Sequence, residues 1–242
     1  MLIDLIRNFS AQAFIDFLMF IIVFLLAITV HEVSHGYAAY RMGDYTAQAM
    51  GRLTINPVKH LDPIGTFMIL IAGFGWAKPV MINPRNFRNP KKGMALSALA
   101  GPVSNILMAF VGLIILGLLN YIGDSNGMVY IDVRQSIFYI GNASGANFMV
   151  MALQFFYTFV SVNAMLAVFN CLPLPPLDGS RIMTYFLPPK LAYYYNYIER
   201  YGFIILLVLL RFAGLGTLIW FLASSIINAI AFVLGLAPFL LF

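Results

Sequence analysis

"AITVHEVSHGYAAY", Ala27–Tyr40, places two histidines and a glutamate at the end of a strongly apolar run. That run, Phe17–Val30, holds no charge and only Thr29 as a polar group. A stretch of this kind belongs in lipid, where ionisable groups are costly and tend to persist only where they act. His31, Glu32 and His35 therefore mark both the fold class and a candidate site.

The rest of the chain agrees. Of its 242 residues, 62% are hydrophobic and only 10% charged, against about 25% charged in a soluble domain. Apolar stretches recur at Ala13–Val30, Met94–Leu119 and Phe148–Phe169, and from Phe203 toward the C-terminus. The first three approach or exceed the ~20 residues a helix needs to cross a bilayer. The expectation is an all-α polytopic membrane protein, a bundle of about four to six transmembrane helices. It is read as one membrane-embedded domain over 1–242, with its core at about 13–187 and a C-terminal helical segment at 201–242. The lone cysteine, Cys171, excludes an internal disulfide. The net charge of +5 does not imply a nucleic-acid partner, because the basic residues flank apolar runs and set orientation instead. No small-residue cleavage site separates the first apolar run from the histidines, so no signal peptide is expected to be removed.

Helix one should run from about Ala13 to Tyr40, carrying the histidines on its last turns. Residues 41–63 are polar and read as loop and short strands. Ile64–Ala72 would span only about 14 Å as a helix, half a membrane, so a re-entrant element is expected; such backbone must be buried in protein or line a wet cavity. "GFGWAKPVMINP", Gly73–Pro84, is extended in character, and "GFGWAKPV" within it is a candidate edge strand near the site, with Gly75 a candidate substrate-binding residue. The second span opens with "ALAGPVSN", and the third ends in "NCLPLPPLDGSR", Asn170–Arg181. Tyr201–Phe242, interrupted by Arg211 and "GLG", reads as one bent helix or two shorter ones. Lys78–Lys92 holds five basic residues and no acid, whereas Asn120–Asn147 holds two acids and one arginine. The first is therefore expected in the cytoplasm and the second outside. On that topology His31, His35 and Asp178 all fall toward the cytoplasmic face.

His31 and His35, four apart, share one helix face. Two imidazoles so placed can bind one Zn²⁺, with Glu32 as general base: the H-E-x-x-H pattern. A pair of histidines hydrogen-bonded in a packed interior would give the same spacing. A catalytic zinc needs a third protein ligand and an open position. Asp16 is about 22 Å away along the helix, and Asp124 and Asp132 fall on the opposite side. Glu199 lacks a second-helix Asn-Glu pattern, and Ala38 and Arg41 occupy the extended motif's Gly and His positions. Among Asp44, Asp62 and His60 in the first loop, His60 is the strongest rival. Asp178, in a proline-rich break at the end of a span, is the preferred ligand.

"HEVSHG" in one span and "NCLPLPPLDG" in a later one resemble the two signatures of the site-2 protease family of intramembrane zinc proteases, with "AGPVSN" similar to its third characteristic segment. The resemblance covers about Ala27–Arg181. It implies one zinc per chain held by His31, His35 and Asp178, with Glu32 as base and Asn170 handling substrate or oxyanion. Asn105 is a further candidate for substrate contact or for an interhelix hydrogen bond. The chain looks like the short bacterial branch without PDZ or CBS domains. The implied partners are the lipid bilayer and transmembrane or remnant signal-peptide-like substrates, in the cell membrane with the site toward the cytoplasm. Two other readings use the same residues: a cation transporter or channel, and an inactive zinc-binding scaffold.

Overall fold

The computed structural model describes residues 10–72, 75–125, 129–132, 137–140 and 146–236. Helix α1, Ala11–Arg41, starts where Ser10 Oγ accepts the Ala13 N–H at 3.0 Å, a side-chain N-cap. It stops at Gly43, whose φ of +102° is a conformation that glycine adopts without steric cost. Short α2, Thr46–Ala49, and a 3₁₀ turn at Pro57–His60 follow. The short strands expected in 41–63 are replaced by these turns, because Asp44 and Asn56 hydrogen-bond nearby backbone N–H groups and favour turn geometry. Only Leu61 pairs in β fashion there, by an isolated bridge to Ala77.

Helix α3, Pro63–Ala72, has ten residues and a length of about 15 Å, too short to cross. Gly73 and Phe74 lie outside the described residues, so the candidate edge strand is seen from Gly75 on, as extended chain rather than a strand of a sheet. Then come α4, Pro90–Ser125, a hairpin of β1, Val129–Asp132, with β2, Ile137–Ile140, and α5, Ala146–Cys171. The hairpin falls in the segment read only as polar. Helices α6, Asp178–Phe186, and α7, Pro189–Ile198, lead into α8, Gly202–Phe212, and α9, Leu215–Val233. Of the two readings of the C-terminal stretch, the structure has the two shorter helices, separated at Gly214 with φ +65°.

Among the described residues, four helices are long and apolar enough to span a bilayer, in α1, α4, α5 and α9. The protein is an integral membrane protein. Its chain forms two compact units, one from the segment up to Ser104 with Phe169–Leu215, the other from Asn105–Val168 with the segment from Gly216. In the first, α1 buries Val23, Ala27, His31, His35 and Ala39, a stripe at four-residue spacing that puts both histidines on the packed face. Phe14, Leu18, Ile22 and Leu26, on another face, stay exposed, as lipid contact requires. The second unit buries Ala109, Leu113 and Leu116 on α4, Leu153 and Val160 on α5, and Ile219, Ala223, Ile227 and Ala231 on α9. Gly112 lies against Phe159 and Val160, the close approach that small residues permit between membrane helices.

Candidate metal centre

Three ligand atoms converge in the first unit. His31 Nε2 and His35 Nε2 are 3.0 Å apart, and Asp178 Oδ2 lies 3.1 Å from the first and 3.2 Å from the second. The two histidines are only 5% and 7% exposed. Their rings meet edge to face, at 89°.

The protonation of one ring follows from its other nitrogen. His35 Nδ1 is 2.7 Å from the carbonyl oxygen of Ser97 on α4. A carbonyl only accepts, so Nδ1 carries the proton and, in the neutral ring, Nε2 is a bare lone pair. That lone pair faces His31 Nε2 and the Asp178 oxygen. Asp178 Oδ2 is buried and has no hydrogen-bond partner despite these neighbours. Converging nitrogen and carboxylate donors of this kind fit a cation. Among the described residues, these three form the grouping that could hold a metal ion.

Each ligand has a local cause. The histidines sit on the buried stripe of α1. Asp178 is the first residue of α6, and Gly179 behind it has no room for a side chain, because a Cβ there would strike the carbonyls of Cys171 and Leu172. The loop before Asp178 is held from α7, where Tyr195 Oη donates to Pro173 O at 2.6 Å. Gly101 forms part of the wall of the cluster: a Cβ there would lie 2.6 Å from His31 Cε1 and closer still to the His35 ring. Neither the Ser97 carbonyl nor Gly101 was placed at the metal cluster from sequence; for Gly101, "AGPVSN" was the signal available.

Glu32, half-buried, accepts the Val80 N–H at 2.9 Å. The extended segment that supplies this N–H is tethered on either side. Lys78 N–H donates to His60 O at 2.8 Å, and Asn83 N–H donates to Asp44 Oδ2 at 2.8 Å. Asp44 has no exposed surface and also accepts from Thr46 Oγ1, the Thr46 N–H and Asn86 Nδ2. Burial pushes the Asp44 carboxyl up, but these bonds outweigh it and hold the group below the usual carboxylate range.

The other candidates sit as follows. His60, 1% exposed, lies outside the triad, and its Nε2 donates to Thr54 O at 2.9 Å. Asp62 Oδ1 accepts the Gly65 N–H near the start of α3. Asn105 is fully buried in the second unit and donates to Asn163 Oδ1 at 2.8 Å, an α4–α5 bond. Asn170 is half-buried on the last turn of α5, and Gly75 opens the described part of the extended segment.

A polytopic helical membrane protein with a buried His-His-Asp cluster, two of whose ligands come from an H-E-x-x-H turn, has the features of an intramembrane metalloenzyme. The model of peptidase family M50 matches residues 19–209. The chain belongs to that family, the site-2 proteases. It is 43% identical over 189 residues to "Putative zinc metalloprotease YwhC" of Bacillus subtilis, covering 78% of each chain. It is also similar to proteins named Rip2 and described in the same words. The one from Mycolicibacterium smegmatis is 27% identical, over 80% of this chain and 67% of the relative. The one from Mycobacterium tuberculosis is 26% identical, over 80% and 66%. No solved structure gives a significant match.

Proposed function

We propose that this chain is an intramembrane zinc metalloendopeptidase that cuts membrane proteins within or near their transmembrane segments. The observation carrying the proposal is the triangle of His31 Nε2, His35 Nε2 and Asp178 Oδ2, with edges of 3.0–3.2 Å. Ligands on a tetrahedral zinc at ~2.0–2.1 Å are about 3.3 Å apart, so the triangle has nearly the size of one face of such a site. Membership of a peptidase family and the names of the relatives favour this reading over a cation path or an inactive scaffold.

In this reading His31, His35 and Asp178 hold one zinc per chain. Bound there, zinc would polarise the scissile carbonyl and make a water acidic enough to lose a proton near neutral pH. Glu32 would take the proton as the water oxygen bonds to the carbonyl carbon, and would pass it to the nitrogen as the C–N bond breaks. The Val80 N–H orients the Glu32 carboxylate for this work. Ser97 O fixes the His35 tautomer, a role that partners outside the ligand set commonly serve. The extended segment from Gly75 on presents backbone groups to an unwound substrate, by strand addition. Asn170 supplies a side-chain amide to the oxyanion, whereas Asn105, bonded to Asn163, serves the packing of α4 on α5. The whole chain acts as one membrane-embedded domain of the cell membrane, with the zinc toward the cytoplasm. Its substrates are transmembrane proteins or remnant signal-peptide-like segments.

The test is cleavage of a membrane-spanning reporter by purified protein in vesicles with zinc supplied. Native protein should cut it and Glu32→Gln should not. Equal cleavage by the two would end the proposal.

A further inference from the structure

Helix α7 carries a surface that the peptidase reading leaves unused. Tyr193 and Tyr194 are 69% and 65% exposed, and Leu191, Tyr197 and Ile198 are also exposed. Leu191, Tyr194 and Ile198 recur at helical spacing, so they form one apolar face. No charge falls between Lys190 and Glu199, and the segment is bounded by Lys190 before it and Arg200 after it. The Arg200 guanidinium sits 3.7 Å over the Tyr197 ring. Tyrosines flanked by cations are the composition of a membrane–water interface, where the ring is apolar and the hydroxyl wet.

The course of the chain favours the same place. A candidate span ends at Cys171 and the next begins at Leu215, so α7 falls in the stretch between two spans, and α8 after it exposes Phe203 and Ile204. Two contacts tie the segment to the rest of its unit. Tyr195 donates to Pro173 O, and Gly202 allows Pro175 to lie directly against the start of α8. Both contacts grip the loop that ends at Asp178.

We propose that α7 lies in the lipid headgroup layer and, through Tyr195, holds the Asp178 loop at a fixed depth. The occupant of its exposed face is phospholipid: acyl-chain ends and glycerol against Leu191, Tyr194 and Ile198, phosphate against Lys190 and Arg200. The first half requires only a membrane protein. The second rests on Asp178 as a metal ligand, and Tyr195 is then a positioning residue.

The experiment places a nitroxide at position 191, 194 or 198, or at exposed Gln48 as a control, in a Cys171→Ser background. The protein is reconstituted in phosphatidylethanolamine–phosphatidylglycerol vesicles, and collision rates with oxygen and with a water-soluble nickel chelate are compared. The oxygen-to-nickel ratio at 191, 194 and 198 should exceed that at 48 severalfold. A ratio equal to the control would mean water on this face. Low collision rates with both reagents would mean a protein partner or a second copy. Either result overturns the placement. For the second half, Tyr195→Phe should weaken zinc binding about tenfold, within the range for losing a group outside the ligand set, while Tyr194→Phe leaves it unchanged. Native affinity in Tyr195→Phe, with the nitroxide result intact, overturns the coupling alone. Neither readout involves cleavage, so both stand apart from the peptidase assay.

Discussion

At His35 a single backbone carbonyl decides what the ring can do. With Ser97 O holding the Nδ1 proton, Nε2 is available as a ligand without first losing one. Gly101 leaves the rings the space to lie as they do, and Gly101→Ala should therefore displace both. Zinc content measured by mass spectrometry should drop well below one per chain. Glu32 is different in kind. Glu32→Gln keeps the shape and loses the base, so zinc should stay near one per chain while cleavage falls about 10²–10⁴-fold. Asp178→Ala should lose the metal as His31→Ala does, whereas His60→Ala should keep it, since His60 donates to Thr54 O away from the triad. His31, His35 and Glu32 were picked out as candidates because helical spacing is a local code. Asp178 was reachable through topology, by counting which acids share a side of the membrane. Ser97, Gly101 and Val80 were not, because they act through a carbonyl, an absent side chain and an N–H, which no residue type announces.

Among the elements, the extended segment beside Glu32 depends on Asp44. Its carboxylate accepts from Asn83 and Asn86 at the far end of the segment and from Thr46 near its own. The folded-state pKa lies below the unfolded one, about 3.9. The stabilisation is therefore complete above that value and is lost as pH falls through the folded pKa. Asp44→Asn should lower the thermal midpoint in detergent at pH 7, by the equivalent of about 1–3 kcal/mol. The deficit should shrink as both proteins are taken below about pH 4. A deficit that stays constant down to pH 3 would assign the effect to packing instead. The long helices were readable from hydropathy alone, with ends displaced by only a few residues. The loop at 41–63 was misjudged because its turns are fixed by partners as distant as Asn83 and Asn86, invisible in a local window. The β1–β2 hairpin was missed for a similar reason, since cross-strand pairing is a relation between two short runs, neither distinctive by itself.

For the molecule as a whole, the charge bias of Lys78–Lys92 puts the zinc ligands near the cytoplasmic surface in the proposed orientation. Substrate helices should then be cut in their cytoplasmic half, and Gly, Pro or Asn there should speed cleavage by weakening the helix. Replacing them with Leu should slow it. Mass spectrometry of the products gives the answer directly, and cuts clustered in the external half would reverse the orientation.

The ligand set also has an order in time. His31 and His35 lie in the first long helix, while Asp178 follows the third. At about 5–20 residues per second, the ribosome takes roughly 7–30 s to make the chain that separates them. Throughout that interval the growing chain has two of its three ligands and lacks the carboxylate that completes the set. In the proposed reading, a protease that works among transmembrane helices therefore cannot complete its metal site until Asp178 has been added.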